Sequence, residues 1–271
     1  MQKFKNENGG IKTRKKSASR YVRVLWLLII LFVIVSGFRQ FFMDPTEILE
    51  VSYFDGFGTL RINKIDKLPA DKSLGLGKFI TKKVDNDRKY SWYVNQGDTG
   101  KFSSTNCGPA CAEMIGKWID KDFQGTAEEA RKLDYCDEGG WFTENIQNYL
   151  ATYEIESRIV ANVSKEKIII NLQNGNIVVL ALKIGDISLN DPKKNSEHTG
   201  RFYEADGGHF IIVKGYIVVD EVTYFKVYDP NSWEYVYGDD SPMGKDRYFL
   251  ADEVVEASKV WYDELLLIRP K

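Results

Sequence analysis

The spacing of apolar residues changes partway along the chain, and this change predicts two kinds of structure. Between residues 107 and 175 the apolar residues recur at the spacing of amphipathic helices. From residue 176 onward they form continuous runs rich in β-branched residues, as in buried strands. Helices are therefore expected first and an antiparallel sheet second, so the sequence predicts an α+β fold.

Four helices are predicted in the first region. The longest covers 107–120, and its apolar face consists of Cys111, Met114, Ile115, Trp118 and Ile119. A shorter helix is predicted over 126–133, and Thr143 is expected to cap a third. Ser164 begins the fourth helix, for which Gly175 supplies a stop signal.

Strands are predicted in the second region. The run "NIVVLALKI" is typical of one buried strand, and "GHFIIVKGYIVVD" and "TYFKVYDP" follow as an antiparallel pair. The residues "DEVT" between them form the expected turn. The segments at 247–255 and 259–270 add further strand-like or mixed structure.

One stretch near the N-terminus, "VRVLWLLIILFVIVSGF" at 22–38, is almost wholly apolar. A membrane-spanning helix needs about 20 apolar residues, and Arg23 can extend its side chain to the interface. Because basic residues precede this stretch, the tail is expected to stay in the cytoplasm while the rest of the chain is exported. An uncleaved anchor over 22–42 is favoured, and a signal peptide cleaved near Val35-Ser36-Gly37 is the alternative.

Charge is unevenly distributed along the chain. The formal net charge is -2, yet residues 1–23 hold eight Lys or Arg against one Glu, so the remainder is acidic. The basic tail suits anionic lipid better than nucleic acid because it adjoins the apolar stretch. We therefore expect the membrane, and no nucleic acid, as a partner of the tail.

These patterns divide the chain into a basic cytoplasmic tail, an anchor or signal sequence, a stalk or β extension, and a main domain: 1–21, 22–42, 43–85 and 86–271. Within the extension, 52–66 predicts a hairpin, and the main domain opens with a short strand predicted over 91–96. The expected location is the cell membrane, with a single span and the main domain outside the cytoplasm. The protein would be secreted if the N-terminal segment were cleaved.

Three cysteines, Cys107, Cys111 and Cys136, would then lie in an oxidising compartment. They cannot all pair within one chain, so one thiol stays free unless it pairs with another chain. A bridge between Cys111 and Cys136 is compatible with the sequence, which does not establish it.

Cys107 lies where a nucleophile has a physical advantage. In "SSTNCGPACAEMIGKW" it opens the predicted helix, and Pro109 is tolerated in a first turn. A helix N-terminus presents unpaired N–H groups and the positive end of the dipole, and both favour a thiolate. Gly108 is expected to leave room for a substrate carbonyl. A purely structural cysteine is the alternative.

A catalytic thiolate needs a base, and the chain has two histidines. His198 lies in a polar loop and is expected to be exposed to solvent, whereas His209 opens a core strand after Gly207-Gly208. Asp229 ends the next strand, so antiparallel pairing would bring it to the same sheet edge, where it could orient the imidazole. A half-buried structural histidine and a turn-forming Asp-Pro pair are the alternatives.

A tetrahedral intermediate also needs donors for its oxyanion. The backbone N–H of Cys107 can be one donor, and the side-chain amide of Gln96 can be the other, with Asn95 as a weaker substitute. Four aromatic residues could shape a substrate cleft or belong to the core: Trp141, Tyr203, Phe210 and Trp233.

The order of the four candidate residues along the chain resembles that of the papain-like cysteine peptidases. More narrowly, "NQ…NCGPACAEM", "GGHFIIVKGY" and "VYDPN" are similar to the double-glycine-leader (bacteriocin-processing) peptidase family, from about Ser91 to Asp240. The resemblance implies a papain-like cysteine peptidase fold over 86–271, in which the helix of the cysteine packs on an antiparallel sheet.

The same resemblance implies a role for each candidate. Cys107 would be the nucleophile, His209 the general base and acid, Asp229 the orienting residue and Gln96 the oxyanion donor. No set of Cys, His and carboxylate residues has metal-ligand spacing, and no phosphate-binding glycine loop occurs, so neither a metal nor a cofactor is expected.

Together these features predict a membrane-anchored, outward-facing cysteine peptidase that acts on a peptide or protein substrate. Two alternatives stay open. The same site could hydrolyse cell-wall peptides or transfer an amide bond, or the domain could be an inactive peptide-binding module. The sequence leaves the substrate, the cleavage preference and the oligomeric state undetermined.

Overall fold

A computed structural model describes residues 50–54, 60–64, 68–133, 139–191 and 197–270. All of these belong to one compact unit of the chain, which begins at Ile48. The predicted tail and the predicted span lie outside the described residues. Within the described ranges, no helix is both long enough and apolar enough to cross a membrane.

Five α-helices lie in these ranges: α1 Cys107–Ile119, α2 Ala127–Leu133, α3 Thr143–Ala151, α4 Lys165–Gln173 and α5 Ala251–Ser258. The first four confirm the predicted helices. Ser164 caps α4 as expected, since its side chain accepts a hydrogen bond from the Lys167 N–H at 3.2 Å. Gly175 follows the end of this helix with φ +80°, a conformation that favours glycine.

The predicted cap of α3 is wrong by one residue. Thr143 is the first helical residue and is buried, and Phe142 occupies the N-cap position. The Phe142 N–H donates to Asn145 Oδ1 at 2.7 Å. Asn145, inside the first turn, therefore provides a capping hydrogen bond of the kind expected from Thr143.

One sheet contains the ten strands of the described ranges: β1 Glu50–Phe54, β2 Leu60–Lys64, β3 Leu68–Pro69, β4 Phe79–Asp85, β5 Ser157–Ala161, β6 Ile177–Lys183, β7 Gly208–Val219, β8 Val222–Tyr228, β9 Arg247–Leu250 and β10 Glu264–Ile268. The order is β2-β1-β4-β7-β6-β10-β5, while β3 pairs with β4 and β8 pairs with β7 and β9. Only the pairing of β1 with β4 is parallel among these strands.

Two expectations about the strands need correction, and one is confirmed. β1 and β2 form the predicted hairpin. The segment 91–96 is not a strand, because the Gln96 N–H bonds to the carbonyl oxygen of Pro230 in a loop at 2.7 Å. Helices do not simply precede the sheet either, since β1 to β4 come before α1, and α5 lies between β9 and β10.

The long strand β7 organises the sheet by changing its partner. Its first half pairs with β6, its second half pairs with β4, and β8 runs along most of its length. Gly215 marks the change, where an added Cβ would lie 2.3 Å from the Val84 carbonyl oxygen. The turn from β7 to β8 uses Asp220 and Glu221, both in the left-handed region, which confirms the predicted hairpin. Val222 and Thr223, predicted in the turn, belong to β8.

Alternation along β7 separates two apolar cores. Phe210 and Ile212 point to the face covered by α1, α2 and α3. Ile211 and Val213 point to the other face, where α4 and α5 pack. The cysteine helix is thus fixed by packing on one side of the strand that carries His209.

A buried cluster of charges joins β4, β7, β8 and the segment before β9. Lys214 is fully buried, and its ammonium group lies 2.5 Å from Asp87 and 2.6 Å from Asp246. Lys226 lies 2.7 Å from Asp85 and 3.0 Å from Asp246. Burial alone would raise the pKa of Asp246, but the charges of both lysines outweigh it and lower that pKa to about 2.

Replacing Lys214 by Met should lower the free energy of unfolding by about 3 kcal/mol at pH 7, because Asp87 would lose its partner and Asp246 would lose one of its two lysines. In the wild type, the contribution of Asp246 should be complete above its unfolded pKa of about 4 and be lost as the pH falls toward 2. Urea unfolding at several pH values measures both effects.

Lys165 provides the matched control. It forms an ion pair with Asp252 at 2.7 Å, but that carboxylate is 81% exposed. Lys165→Met should therefore change the free energy of unfolding by less than about 1 kcal/mol. Equal, small effects of the two substitutions would contradict a structural role of the buried cluster.

Candidate active site

Cys107 is the first residue of α1, and it is partly exposed to solvent. Pro109 lies two positions later, inside the first turn, where its fixed φ suits a helix and its missing N–H costs no helical bond. The sequence places the thiol at the helix N-terminus for this local reason. The dipole and the unpaired N–H groups of that end favour a negative charge on sulfur.

Gly108 serves close packing in this helix start. An added Cβ would lie 2.8 Å from the Cβ of Trp141 and 3.4 Å from a ring carbon of Phe210. Because glycine has no side chain, Trp141 and Phe210 can both pack closely against the backbone beside Cys107. The expectation that Gly108 leaves room for a substrate carbonyl stays a prediction beside this packing role.

His209 is the second residue of β7, opposite Leu182 of β6, and it is buried. Its Nε2 lies 2.7 Å from Asp229 Oδ1 and must donate, because an ionised carboxylate only accepts. The ring also interacts with the Cys107 thiol, and this pairing contributes to the pKa shifts of both groups. Since Nε2 is occupied by Asp229, Nδ1 is the nitrogen that serves the thiol.

Asp229 follows the last residue of β8 and is completely buried. In addition to His209, its Oδ1 accepts the backbone N–H of Asn231 at 2.9 Å. Its Oδ2 accepts the phenol of Tyr203 at 2.9 Å. Both oxygens are therefore used, which holds the carboxylate in one orientation toward the imidazole.

The electrostatics of the pair favour a thiolate and an imidazolium. Burial would raise the pKa of Cys107, but the hydrogen bond and charge of His209 outweigh it, and that pKa is lowered. Burial would lower the pKa of His209, but the charge and hydrogen bond of Asp229, with the contribution of Cys107, raise it to about 10. At neutral pH both changes favour the charged forms.

Gln96 begins a short 3₁₀ turn and is buried. Its backbone N–H donates to the Pro230 carbonyl oxygen at 2.7 Å, so it is tied to the residue after Asp229. Its side-chain amide makes no hydrogen bond within the described residues, and the buried Oε1 has no partner there. An amide without partners beside this loop is available to a ligand.

The structure thus pairs His209 with Asp229 through a hydrogen bond and with the Cys107 thiol through its charge, and it joins Gln96 to the loop that carries the carboxylate. Sequence reasoning left Tyr203 open between a substrate cleft and the core, and it missed that this tyrosine orients Asp229. The tyrosine lies in the segment before β7, far in sequence from its partner, and no local pattern marks it.

The other aromatic candidates divide between core and surface. Trp141 and Phe210 are buried against the start of α1. Trp233 is 42% exposed, and its ring lies against Gly97, next to Gln96. Only Trp233 of these three is available to line an open cleft.

His198 lies apart from this site, and the prediction that it is exposed is wrong. It is half-buried, and its ring stacks on Tyr237 with the centroids 3.8 Å apart. Burial, assisted by the charge of Arg247, lowers the pKa of His198. The polar loop folds back onto the sheet, since the Tyr248 N–H of β9 donates to the His198 carbonyl oxygen at 2.8 Å.

Cys111 lies one helical turn after Cys107 as a free, fully buried thiol. Burial, with the nearby charges of Cys107 and Asp229, raises the pKa of Cys111 well above the usual value. It is therefore a poor nucleophile beside an activated one. Cys136 lies outside the described residues, and no group of His, Cys, Asp and Glu within those residues could hold a metal ion.

This arrangement can perform nucleophilic acyl transfer. A thiolate at a helix N-terminus, an imidazole oriented by a buried carboxylate and an amide without partners are the groups that such chemistry needs. Each side chain comes from a different part of the chain, and the sheet and α1 bring them together.

A match to a known protein family agrees with this chemistry. The sequence profile of the Peptidase_C39 like family matches residues 89–249. Among solved structures, a proposed C39-like peptidase from Bacillus anthracis is 11% identical with a TM-score of 0.46, over 70% of this chain and 98% of that chain. No curated protein matches this chain significantly. The family match includes all four candidate residues and confirms the resemblance, and the chain belongs to the Peptidase_C39 like family.

Proposed function

We propose that the protein is a cysteine peptidase, with Cys107 as the nucleophile, His209 as the proton carrier and Asp229 as the orienting residue. One observation carries this proposal. The buried 2.7 Å contact between His209 and Asp229 is linked to a thiol whose pKa is lowered. A cysteine and a histidine with purely structural roles would not require a lowered thiol pKa or a buried contact between the imidazole and a carboxylate.

Acylation begins when the Cys107 thiolate attacks the carbonyl carbon of the scissile peptide and forms a C–S bond. The carbonyl oxygen becomes an oxyanion. His209 then gives its Nδ1 proton to the leaving nitrogen as the C–N bond breaks, which releases an amine and leaves a thioester on Cys107.

Deacylation reverses the role of the imidazole. Neutral His209 takes a proton from water, and the resulting hydroxide attacks the thioester carbon. The C–S bond breaks, the thiolate returns and the acyl part of the substrate leaves as a carboxylic acid. Asp229 keeps the ring in the same orientation for both steps, because its contact is to Nε2 and does not use Nδ1.

Gln96 is the proposed side-chain donor to the oxyanion, together with the Cys107 N–H. Its amide has no partner within the described residues, and its backbone is fixed to Pro230. A donor held in place before the reaction stabilises the developing charge at no cost of reorganisation. This is the structural support for assigning the role to Gln96.

Exposed aromatic residues beside the site support a peptide substrate. Trp261 is 44% exposed, and its ring lies 3.4 Å from the position of a Cβ on Gly208, next to His209. Phe142 and Tyr262, also exposed, form an edge-to-face pair with centroids 6.0 Å apart. Such surfaces suit the apolar side chains of an extended peptide.

Placement on the outer face of the membrane is part of the proposal and rests on the sequence. A basic tail followed by the apolar stretch at 22–38 supports a single-span anchor with the catalytic domain outside the cytoplasm. In that location, peptides of the cell wall are an alternative substrate for the same site. An inactive peptide-binding module is the other alternative, and the complete set of polar groups argues against it.

Iodoacetamide should alkylate Cys107 rapidly at pH 6, where an ordinary thiol with a pKa of about 8.5 is almost fully protonated. Peptide mass mapping after short exposures measures the rate at each cysteine separately. Cys111 is the internal control, because burial raises its pKa and restricts access, so it should stay unmodified.

His209→Gln should slow the alkylation of Cys107 at pH 6 by at least about tenfold, because the thiolate would lose the neighbouring positive charge. The ratio of this rate to that of the wild type is the decisive quantity. A wild-type Cys107 that reacts no faster than glutathione at pH 6 would rule out the activated nucleophile.

Asp229→Asn should narrow the pH range of kcat/KM from its alkaline side. Loss of the carboxylate charge lowers the pKa of His209 from about 10, so the alkaline limb of the pH profile moves to lower pH. Tyr203→Phe is the control, since it removes one hydrogen bond of Asp229 but keeps the charge.

Incubation of the full chain with a mixed peptide library and, separately, with peptidoglycan fragments tests the substrate class. We expect mass spectrometry to detect cleavage in the peptide library, and Cys107→Ala should abolish it. Cleavage confined to peptidoglycan would favour the cell-wall alternative. Peptide binding without turnover in a protein whose Cys107 is alkylated rapidly would favour the binding module.

A further inference from the structure

Asn106 occupies the N-cap of α1 but does not cap it. Its carbonyl oxygen accepts the first helical hydrogen bond, from the Ala110 N–H at 2.8 Å, yet its side chain makes no bond to the helix N-terminus. Asparagine is among the best N-cap residues because its side-chain oxygen usually accepts such a bond. This one is also buried, with 1% of its surface exposed.

The Asn106 side chain points to two other partners instead. Its Nδ2 donates to Thr99, at 3.1 Å to the carbonyl oxygen and 3.0 Å to the hydroxyl. Its Oδ1 accepts Arg131 Nε at 2.8 Å. The orientation of the amide is unambiguous, because the guanidinium can only donate and a backbone carbonyl can only accept.

Thr99 continues these contacts to Gln96. The Thr99 hydroxyl donates to the Gln96 carbonyl oxygen at 2.6 Å, and the Thr99 N–H donates to the same oxygen at 3.1 Å. Both residues are buried. A continuous series of buried hydrogen bonds therefore joins the residue before Cys107 to the backbone of Gln96.

Arg131 fixes the other end of the series. It is buried, and its Nη2 donates to the Thr105 carbonyl oxygen at 2.7 Å. Its Nη1 donates to the carbonyl oxygen of Gly139 at 2.5 Å, in the segment just before Trp141. The guanidinium thus holds the start of α1 and keeps the Asn106 amide turned toward Thr99.

Because the Asn106 side chain bonds elsewhere, it does not cap the N–H groups at the N-terminus of α1. Pro109, the third helical residue, has no N–H, so a cap by Asn106 would have to use the Gly108 N–H. With Oδ1 given to Arg131, the Asn106 side chain leaves that N–H uncapped. The donors at this end are left to the reacting atoms.

We propose that Asn106 and Thr99 are positioning residues, which hold the Gln96 amide at a fixed place relative to the Cys107 helix start, where it meets the oxyanion. The proposal rests on the function proposed above. Neither residue touches the reacting atoms, and both act through Gln96. Loss of the Thr99 hydroxyl should therefore impair oxyanion stabilisation and leave the nucleophile intact.

The test compares Thr99→Val, which removes the hydroxyl at nearly constant volume, with Thr99→Ser, which keeps it. The probe is p-nitrophenyl acetate, whose reaction with Cys107 passes through a tetrahedral intermediate and releases p-nitrophenolate. We expect the acylation rate of the full chain to fall about fivefold in Thr99→Val and about tenfold in Gln96→Ala, with Thr99→Ser close to wild type.

A double substitution separates positioning from a general structural effect. If Thr99 acts through Gln96, adding Thr99→Val to Gln96→Ala should slow acylation by less than about twofold further. Asn106→Ala should behave like Thr99→Val in both backgrounds. If Thr99→Val slowed acylation by the same factor in the wild type and in Gln96→Ala, the proposal would be overturned. A Thr99→Val protein with the wild-type acylation rate would overturn it as well.

Alkylation by iodoacetamide distinguishes this failure from a failure of the proposed function. That reaction uses the thiolate but forms no oxyanion, so its rate at pH 6 should be the same in wild type and Thr99→Val. A wild-type protein that fails both reactions would refute the peptidase itself. Thermal unfolding checks that each variant is folded, and Thr99→Ala repeats the test if the valine variant is not.

Discussion

The charge of a fully buried carboxylate is the constraint on which the candidate site depends. Asp229 is completely buried, and its carboxylate keeps His209 protonated against the cost of burial, with a pKa of about 10. The imidazolium in turn keeps the Cys107 thiol ionised against the same cost. His209 and Asp229 are both buried, so separating this pair would leave an unpaired charge in a medium of low dielectric constant.

The sheet brings His209 and Asp229 together through a short connection of the chain. β7 and β8 form a hairpin with a two-residue turn, so His209 and Asp229 lie near the same end of adjacent antiparallel strands. Phe210, one position after His209, points to the opposite face and packs against Gly108 of α1. One strand thus fixes both the imidazole and the helix that presents the sulfur, which couples the site to the hydrophobic core.

Sequence patterns identified the elements and the candidate residues, but not the contacts between distant segments. Helical spacing marked α1, and β-branched runs marked β6, β7 and β8, because core burial leaves a periodic trace. Strand order along the chain placed Asp229 at the edge reached by His209. The bond from Tyr203 to Asp229 and the half-burial of His198 left no such trace, since each depends on how a polar loop folds over the sheet.

The strand predicted at 91–96 is wrong for the same reason, and this matters for the chemistry. This segment has no strand partner, and it is held instead by side chains and by one backbone bond to the loop after β8. Tyr93 donates to the Asp229 carbonyl oxygen at 2.7 Å, and the Asn95 amide bonds the Trp233 backbone. An irregular segment fixed on both sides can present Gln96 at an angle that a regular strand, with alternating side chains, would not allow.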